Sequence, residues 1–199
     1  MIPGIDVSHY QGVIDWAKVA AAGVKFAFLK CTEGVGKDPM YSANMATIDP
    51  SIIAGAYHFF TVDLPGDEQA RQFLTTSIIS PLAPSLYAVD LEQAPTDKGA
   101  YAGQALKFIL AVEEATGKPP IVYGSPSFLA KYLSKANIGD SPLWIAEYGP
   151  PKPSVPAPWT DWVFWQHTSG GHMDGITTPV DLDWFNGDID ALRELELAS

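Results

Sequence analysis

Two carboxylates two residues apart, Asp90 and Glu92, follow the apolar run Leu86-Tyr87-Ala88-Val89. On a strand, residues i and i+2 face the same side, with Cα atoms about 6.6 Å apart. Like charges that close, at the edge of a buried run, resist ionising together, so one pKa is expected to rise. A protonated carboxyl beside an ionised one is the arrangement that breaks a glycosidic bond. Asp6 and Asp181 lie at the ends of two other short apolar runs and would strengthen the effect. One acid at a strand end is as readily a structural cap as a catalyst. Four such acids gathered together are poorly explained by capping.

The other chemistry-bearing residues point less sharply. His9, His58, His167 and His172 fall in different segments, without H-E-x-x-H or H-x-x-H spacing. A lone histidine among aromatics is more often a packed, hydrogen-bonded residue than a ligand. A metal-dependent hydrolase, with His58 or His167 beside the carboxylates, is the minority reading. Cys31 follows Phe26-Ala27-Phe28-Leu29 and reads as a small buried hydrophobe. The chain holds 6 Trp, 8 Tyr and 9 Phe, and Tyr57, Tyr123, Trp144, Tyr148 and Trp165 fall near predicted strand ends. Flat rings there suit a cleft that takes sugars, although core packing claims most of the phenylalanines.

These groups need a scaffold that brings distant segments together. Short apolar or β-branched runs at 4–7, 25–30, 52–60, 86–91, 120–123, 143–146, 162–165 and 180–182 predict eight strands. Several lack clean alternation, as parallel strands covered on both faces do. Helices are expected between the first of them. Asp15 caps one that carries Trp16 and Val19 and ends at Gly23, and others cover 40–48, 67–79 and 99–116. Ser125-Pro126 starts another, and Asp188 caps a last one at 188–197. The proline-rich link 149–159 and the glycine-rich link 168–179 are not helical. Strand–helix alternation implies a parallel sheet, and eight strands suggest closure into a barrel. The expected fold is α/β: an irregular TIM-like (β/α)5β3 barrel whose last three strands lack crossover helices. An open doubly wound sheet is the alternative, but no GxGxxG follows the first strand, which continues as Asp6-Val7-Ser8-His9-Tyr10. In such folds functional groups collect at the carboxyl ends of strands, and the acids above are read as lying there.

Composition narrows the partners. With 199 residues, 47% hydrophobic, one sizeable core is expected in one domain over 1–199, with no separate binding module. Twelve basic against 23 acidic residues give a net charge of −11, which disfavours nucleic acid and anionic membrane surfaces. No apolar run reaches the ~20 residues that span a bilayer. The single cysteine excludes an internal disulfide. No basic and apolar leader marks a signal peptide at Met1-Ile2-Pro3-Gly4.

The motifs, taken in order, resemble one family. Gly4-Ile5-Asp6-Val7-Ser8 with Gln11-Gly12, Ile14-Asp15-Trp16, Lys30-Cys31-Thr32-Glu33-Gly34 and Gly55-Ala56-Tyr57-His58-Phe59 come first. Asp90-Leu91-Glu92, Ile121-Val122-Tyr123, Leu143-Trp144-Ile145-Ala146, Trp165-Gln166 and Val180-Asp181-Leu182-Asp183 follow. Together they resemble the glycoside hydrolase family 25 lysozymes, the Chalaropsis-type muramidases also used as phage endolysins. The resemblance implies a peptidoglycan hydrolase that cuts the β-1,4 bond after N-acetylmuramic acid. Glu92 would be the general acid, Asp90 would stabilise the oxocarbenium-like centre or orient the substrate's 2-acetamido group, and Asp6 and Asp181 would form the acidic floor. Lys30, Tyr57, Tyr123, Trp144 and Gln166 would line the substrate cleft. No cofactor and no metal are expected. The partner would be peptidoglycan glycan strands, met by a monomer acting outside the cytoplasm on the cell wall, after secretion or phage-type release. Asp183 and His167 depart from the family's frequent Asn and Tyr, and Asp49-Pro50 replaces a usual small-residue stretch. Carboxyl spacing leaves retaining, inverting and substrate-assisted routes open. A binding barrel that has lost catalysis, and a metal-dependent polysaccharide deacetylase, are the rival readings.

Overall fold

The structure, a computed structural model, describes residues 1–78 and 82–197. Among these, nine strands form one sheet: β1 (Ile2–Val7), β2 (Phe26–Glu33), β3 (Gly36–Lys37), β4 (Ile53–Phe59), β5 (Leu86–Asp90), β6 (Ile121–Gly124), β7 (Leu143–Ala146), β8 (Phe164–Gly171) and β9 (Val180–Phe185). The order is β1-β9-β8-β7-β6-β5-β4-β2-β3, and β1 also pairs with β2, so eight strands close a barrel and β3 stands outside it. Helices α1 (Trp16–Ala21), α2 (Tyr41–Thr47), α3 (Gly66–Ser77), α4 (Lys98–Thr116) and α5 (Pro126–Tyr132) fill the crossovers up to β7, and α6 (Ile189–Leu197) ends the described chain. This is the expected (β/α)5β3 arrangement.

The helix boundaries follow local chemistry. Asp15 Oδ1 accepts the Lys18 N–H at the start of α1, and Ser125 Oγ accepts that of Phe128, with Pro126 in the first turn of α5. Gly117, at φ +80°, ends α4 in the left-handed conformation that residues with a Cβ avoid. Ile79, the last residue of the helix expected at 67–79, lies outside the described residues.

Three expectations need correction. The sheet is not all parallel: β9 runs antiparallel to both β1 and β8. With no helix between β8 and β9, the chain returns directly as a hairpin, and a direct return reverses strand direction. The segment read as a glycine-rich link from 168 is partly strand, because β8 runs on to Gly171 and pairs with Val180. A two-residue strand, β3, folds back on the end of β2, with Thr32 opposite Lys37. It is too short to leave a periodic signal.

Alternation along each strand divides the core in two. On β2, Phe26 and Phe28 point into the barrel, whereas Ala27, Leu29 and Cys31 pack outward beneath the helices. The inner cluster joins Phe26, Phe28, Leu86, Ala88, Ile121, Trp144, Phe164 and Phe185, and Leu192 of α6 packs against it, fully buried. Phe28 stacks on Trp144 with ring centroids 4.4 Å apart. Gly4 and Gly55 face these rings. A Cβ would lie 2.2 Å from Phe26 at the first and 2.4 Å from Phe28 at the second, so glycine gives the aromatic layer its room.

Outside the barrel, α3 starts against the backbone of α4. The Gly66 N–H donates to Gln104 Oε1, and a Cβ at Gly66 would lie 1.9 Å from the Gln104 carbonyl oxygen. That obstacle is backbone and cannot rotate away. Gly66→Ala is therefore expected to lower stability by about 1–3 kcal/mol, as forced overpacking does. Urea unfolding should show a lower midpoint with an unchanged m-value. An unchanged midpoint would contradict this packing.

Candidate active site

On several strands the inward-facing column ends in a polar residue at one mouth of the barrel. Phe26 and Phe28 lead to Lys30, Leu86 and Ala88 lead to Asp90, and Phe164 leads to Gln166. The nine residues expected at the site, Asp6, Lys30, Tyr57, Asp90, Glu92, Tyr123, Trp144, Gln166 and Asp181, all line one cleft of about 340 Å³ there. Val7, Ser8, Tyr10, Gln11, Glu33 and Phe59 complete its wall.

Asp181 arrives by a route different from the one read in the sequence. It was expected at the carboxyl end of a parallel strand. It lies instead near the start of antiparallel β9, directly opposite Asp6. Because β9 is reversed, its beginning and the end of β1 meet at the same mouth. Asp183, two residues further along, is carried down into the barrel and is only 1% exposed.

The carboxylates differ in depth. Asp90 is the last residue of β5 and is buried, whereas Glu92 lies past the strand and is exposed. Leu91 between them is fully buried, and its N–H donates to the Tyr123 carbonyl, so alternation persists beyond the strand. Burial raises the Asp90 carboxyl well above the usual carboxylate range; Glu92 adds to the rise and Lys30 opposes it. Burial also raises Glu92, against Lys30 and with Asp181. Asp90 Oδ1 is enclosed without a hydrogen-bond partner in the protein.

Lys30 is the single basic residue in the cleft wall. It is 9% exposed, donates to Glu33 Oε2 at 2.6 Å, and lies 4.7 Å from the centre of the Phe59 ring. Its ammonium is thus fixed where it favours charge on the carboxylate pair.

On the opposite wall, Gln166 Oε1 accepts from the Tyr123 and Tyr148 hydroxyls at 2.9 and 2.6 Å. Its Nε2 donates to Asp6 Oδ2 at 2.7 Å. Two phenols therefore orient the amide, and the amide orients the aspartate. Trp144 forms floor more than wall. It is 1% exposed, and its Nε1 donates to Asp183 Oδ1 at 2.8 Å. Trp165, read in the sequence as a ring at a strand end, lies outside the cleft wall and donates from Nε1 to the Glu147 carbonyl.

The histidines take structural places. His58 is fully buried, with Nδ1 2.7 Å from Thr32 Oγ1 and Nε2 3.1 Å from Gln69 Oε1. Burial lowers its pKa to about 3, against the Gln69 bond, so the ring is neutral and both nitrogens are engaged. His167 sits at an irregularity in β8 and stacks on Trp184. Among the described residues, no three His, Cys, Asp or Glu are grouped to hold a metal. Burial raises the Cys31 thiol to about 12, which leaves it unreactive.

Sequence reading missed the part of the wall built by Tyr10 and Gln11. Ser8 and Gln11 form a reciprocal capping box around a 3-10 turn, His9–Gln11. His9 is held by the buried Asp38 carboxylate at 2.7 Å, and the exposed Tyr10 ring lies 4.1 Å from the His9 ring. The S-x-x-Q pattern at 8–11 was the available signal.

A closed α/β barrel whose mouth gathers Asp6, Glu33, Asp90, Glu92 and Asp181 around one lysine defines a site of the glycoside hydrolase class. The sequence profile of the Glycosyl hydrolases family 25 matches residues 5–176. Lysozyme M1 of Streptomyces globisporus is 33% identical over 214 residues, which span 100% of this chain and 71% of that protein. The uncharacterized protein YegX of Escherichia coli K12 is 34% identical over 96% of this chain and 72% of its own. The crystal structure of the bacterial lysozyme from Streptomyces coelicolor has a TM-score of 0.89 at 31% identity, covering 98% of this chain and 96% of that one. The muramidase from Acremonium alcalophilum has a TM-score of 0.87 at 27% identity, covering 100% of both chains. The chain belongs to glycosyl hydrolases family 25.

Lys30 lowers the pKa of both Asp90 and Glu92, so removing it must let both rise further. Lys30→Met is expected to move the pH profile of kcat/KM upward by roughly one unit. A profile that stays in place would show that Lys30 does not act on the pair.

Proposed function

We propose that this enzyme is a muramidase, cutting the β-1,4 bond between N-acetylmuramic acid and N-acetylglucosamine in peptidoglycan. The observation that carries the proposal is the unequal pair: buried Asp90 beside exposed Glu92, with fixed Lys30 acting on both. Two interacting carboxyls titrate as a unit; the proton they share rests on the more buried Asp90, and positive charge developing on the sugar beside Asp90 draws the pair toward protonated Glu92 and ionised Asp90. Glu92, at the exposed end, gives its proton to the glycosidic oxygen as the bond from that oxygen to the anomeric carbon breaks. The oxocarbenium-like centre that forms faces the charge at Asp90. Water then adds to that centre, and Glu92 takes its proton, which restores the acid. Asp6 and Asp181 form the acidic floor on the far wall, with Asp6 held by Gln166. Lys30, Tyr57, Tyr123, Trp144 and Gln166 complete the cleft that receives the glycan.

The wider setting follows from this reading. The enzyme acts as a monomer on glycan strands of the cell wall, outside the cytoplasm. No helix among the described residues is long and apolar enough to cross a membrane. The inactive-barrel reading is disfavoured by the complete acid set, and the metal-dependent reading by the engaged nitrogens of His58.

The decisive experiment is digestion of purified peptidoglycan, borohydride reduction and mass spectrometry of the new reducing ends. Muramitol ends are expected with the wild type. Glu92→Gln should fold normally and lose at least about 100-fold in turnover, the scale of a general acid. Glucosaminitol ends would overturn the assigned bond, and near wild-type turnover of Glu92→Gln would overturn its role. Activity should survive EDTA; its loss, with recovery on adding a divalent cation, would restore the metal-dependent reading.

Net charge yields a separate expectation. A chain of charge −11 is repelled by polyanionic walls, and salt screens that repulsion. Lysis of such walls should rise from low to moderate ionic strength, whereas wall glycan stripped of anionic polymers should show little dependence. A steady fall from low salt on intact walls would contradict this electrostatic picture.

A further inference from the structure

Beneath the cleft floor lies a buried carboxyl that the mechanism above does not use. Asp183 is 1% exposed. Its Oδ1 accepts the Trp144 indole N–H, but Oδ2 is enclosed without a hydrogen-bond donor in the protein. The register explains its nearest acidic neighbour. Asp6 lies opposite Asp181 across the antiparallel β1–β9 pair, and Asp183 is two residues further along β9, on the same inward face. Asp6 is itself only 5% exposed. Two carboxyls are thus buried on neighbouring strands, one with an unpartnered oxygen.

The cleft's cation does not serve them, since Lys30 is fixed to Glu33. The other groups facing the pair are Asp181 on β9, Gln166 on β8, Trp144 on β7 and Asp90 on β5. Phenols from three sides, Tyr57, Tyr123 and Tyr148, also feel the charge of Asp6. Burial raises all three phenols, so they remain neutral and cannot supply positive charge. Two unneutralised charges in this place would carry a heavy desolvation penalty and repel each other. A buried oxygen without a donor is likewise costly. One proton placed between the two carboxyls removes both penalties.

We propose that Asp6 and Asp183 hold one proton between them at neutral pH, and that Asp183 is a positioning residue for Asp6. The shared hydrogen bond fixes Asp6 from below, while Gln166 Nε2 fixes it from the side at 2.7 Å. The pair then carries a single negative charge beneath the substrate. Titration supports the geometry: burial raises both groups, Asp6 well above the usual range and Asp183 to about 8. The sign for stability follows. Between about pH 4 and 8 the folded chain keeps a proton that the unfolded chain releases, so this pair's contribution to stability declines as pH rises through that window. Each such proton changes the folding constant tenfold per pH unit.

The test combines three measurements on the intact chain. In wild type labelled at aspartate 13Cγ, one step of the Asp6/Asp183 pair is expected near or above neutrality. Full ionisation of both below pH 5 would overturn the proposal and assign the missing donor to a buried water. This measurement needs no variant and no substrate, so it separates failure here from failure of the muramidase reading, on which only the activity measurement rests. In Asp183→Asn, an amide N–H replaces the shared proton, and Asp6 should fall toward the ordinary carboxylate range. The fall in stability between pH 4 and 8 should be shallower by up to tenfold in folding constant per unit. An unchanged slope would overturn the shared proton. For turnover on peptidoglycan, Asp183→Asn should stay within about threefold of wild type, and Asp183→Leu, which cannot donate, should lose at least about tenfold. Equal losses in the two variants would assign Asp183 to packing and overturn its positioning role.

Discussion

The site depends on one geometrical constraint: side chains alternate along a strand, and this sheet is closed. In a closed ring every inward-facing residue shares one small interior. Aromatic rings fill the lower part, where Phe26, Phe28, Phe164 and Trp144 interlock. Once that volume is full, the next inward position on each strand can hold a polar group that reaches the mouth. Lys30, Asp90 and Gln166 each stand two residues beyond an inward apolar residue, which is where alternation places them. These polar cleft residues are therefore the continuation of the hydrophobic columns that hold the barrel together. Closure also brings β1 against β2 on one side and β9 on the other, so Asp6 faces acids and an amide from the far end of the chain.

Burial then makes these groups unequal. Asp90 and Asp183 are enclosed, Asp181 is half-buried and Glu92 is exposed. In water all four would be ordinary carboxylates. Here desolvation is the leading influence on each, and neighbouring charges modify it. Lys30 moderates one wall of the cleft, while hydrogen bonds from Gln166 and Trp144 moderate the other. One lysine among five acids leaves the cleft negative, which suits a mechanism that develops positive charge on a sugar ring.

Much of this was legible in the chain because it rests on local rules. Asp15, Ser125-Pro126 and Gly117 mark helix ends through hydrogen bonds and dihedral preferences that act within one turn. The apolar runs mark strands because each must be covered. The pair Asp90 and Glu92 stands out because an apolar run leads directly into it. His58 was read as packed, and its bonds to Thr32 and Gln69 account for that. Less legible were features defined by distant segments. The 3-10 turn carrying Tyr10 is short, and its role depends on Asp38, 29 residues from His9. The two-residue β3 is below the length at which periodicity exists. Trp144 and Trp165 look alike in sequence, yet one forms cleft floor and the other braces the link after β7, because they lie on different strands facing different layers.

Residue order alone determined which positions are apolar, which turns break helices, and which acids follow buried runs, since these depend on neighbours within a few residues. It did not determine the direction of the last strand. The reversal of β9 follows from the hairpin that joins it to β8, and it converts Asp181 from an apparent strand end into a residue near a strand start, opposite Asp6. Nor did it determine that Asp183 lies below the floor rather than in the cleft. That is a matter of depth in a closed interior, which exists only once β1, 160 positions before Gln166, has joined the strands of the far end. Local chemistry selected the carboxylates; tertiary closure decided how deeply each is buried, and hence how each one ionises.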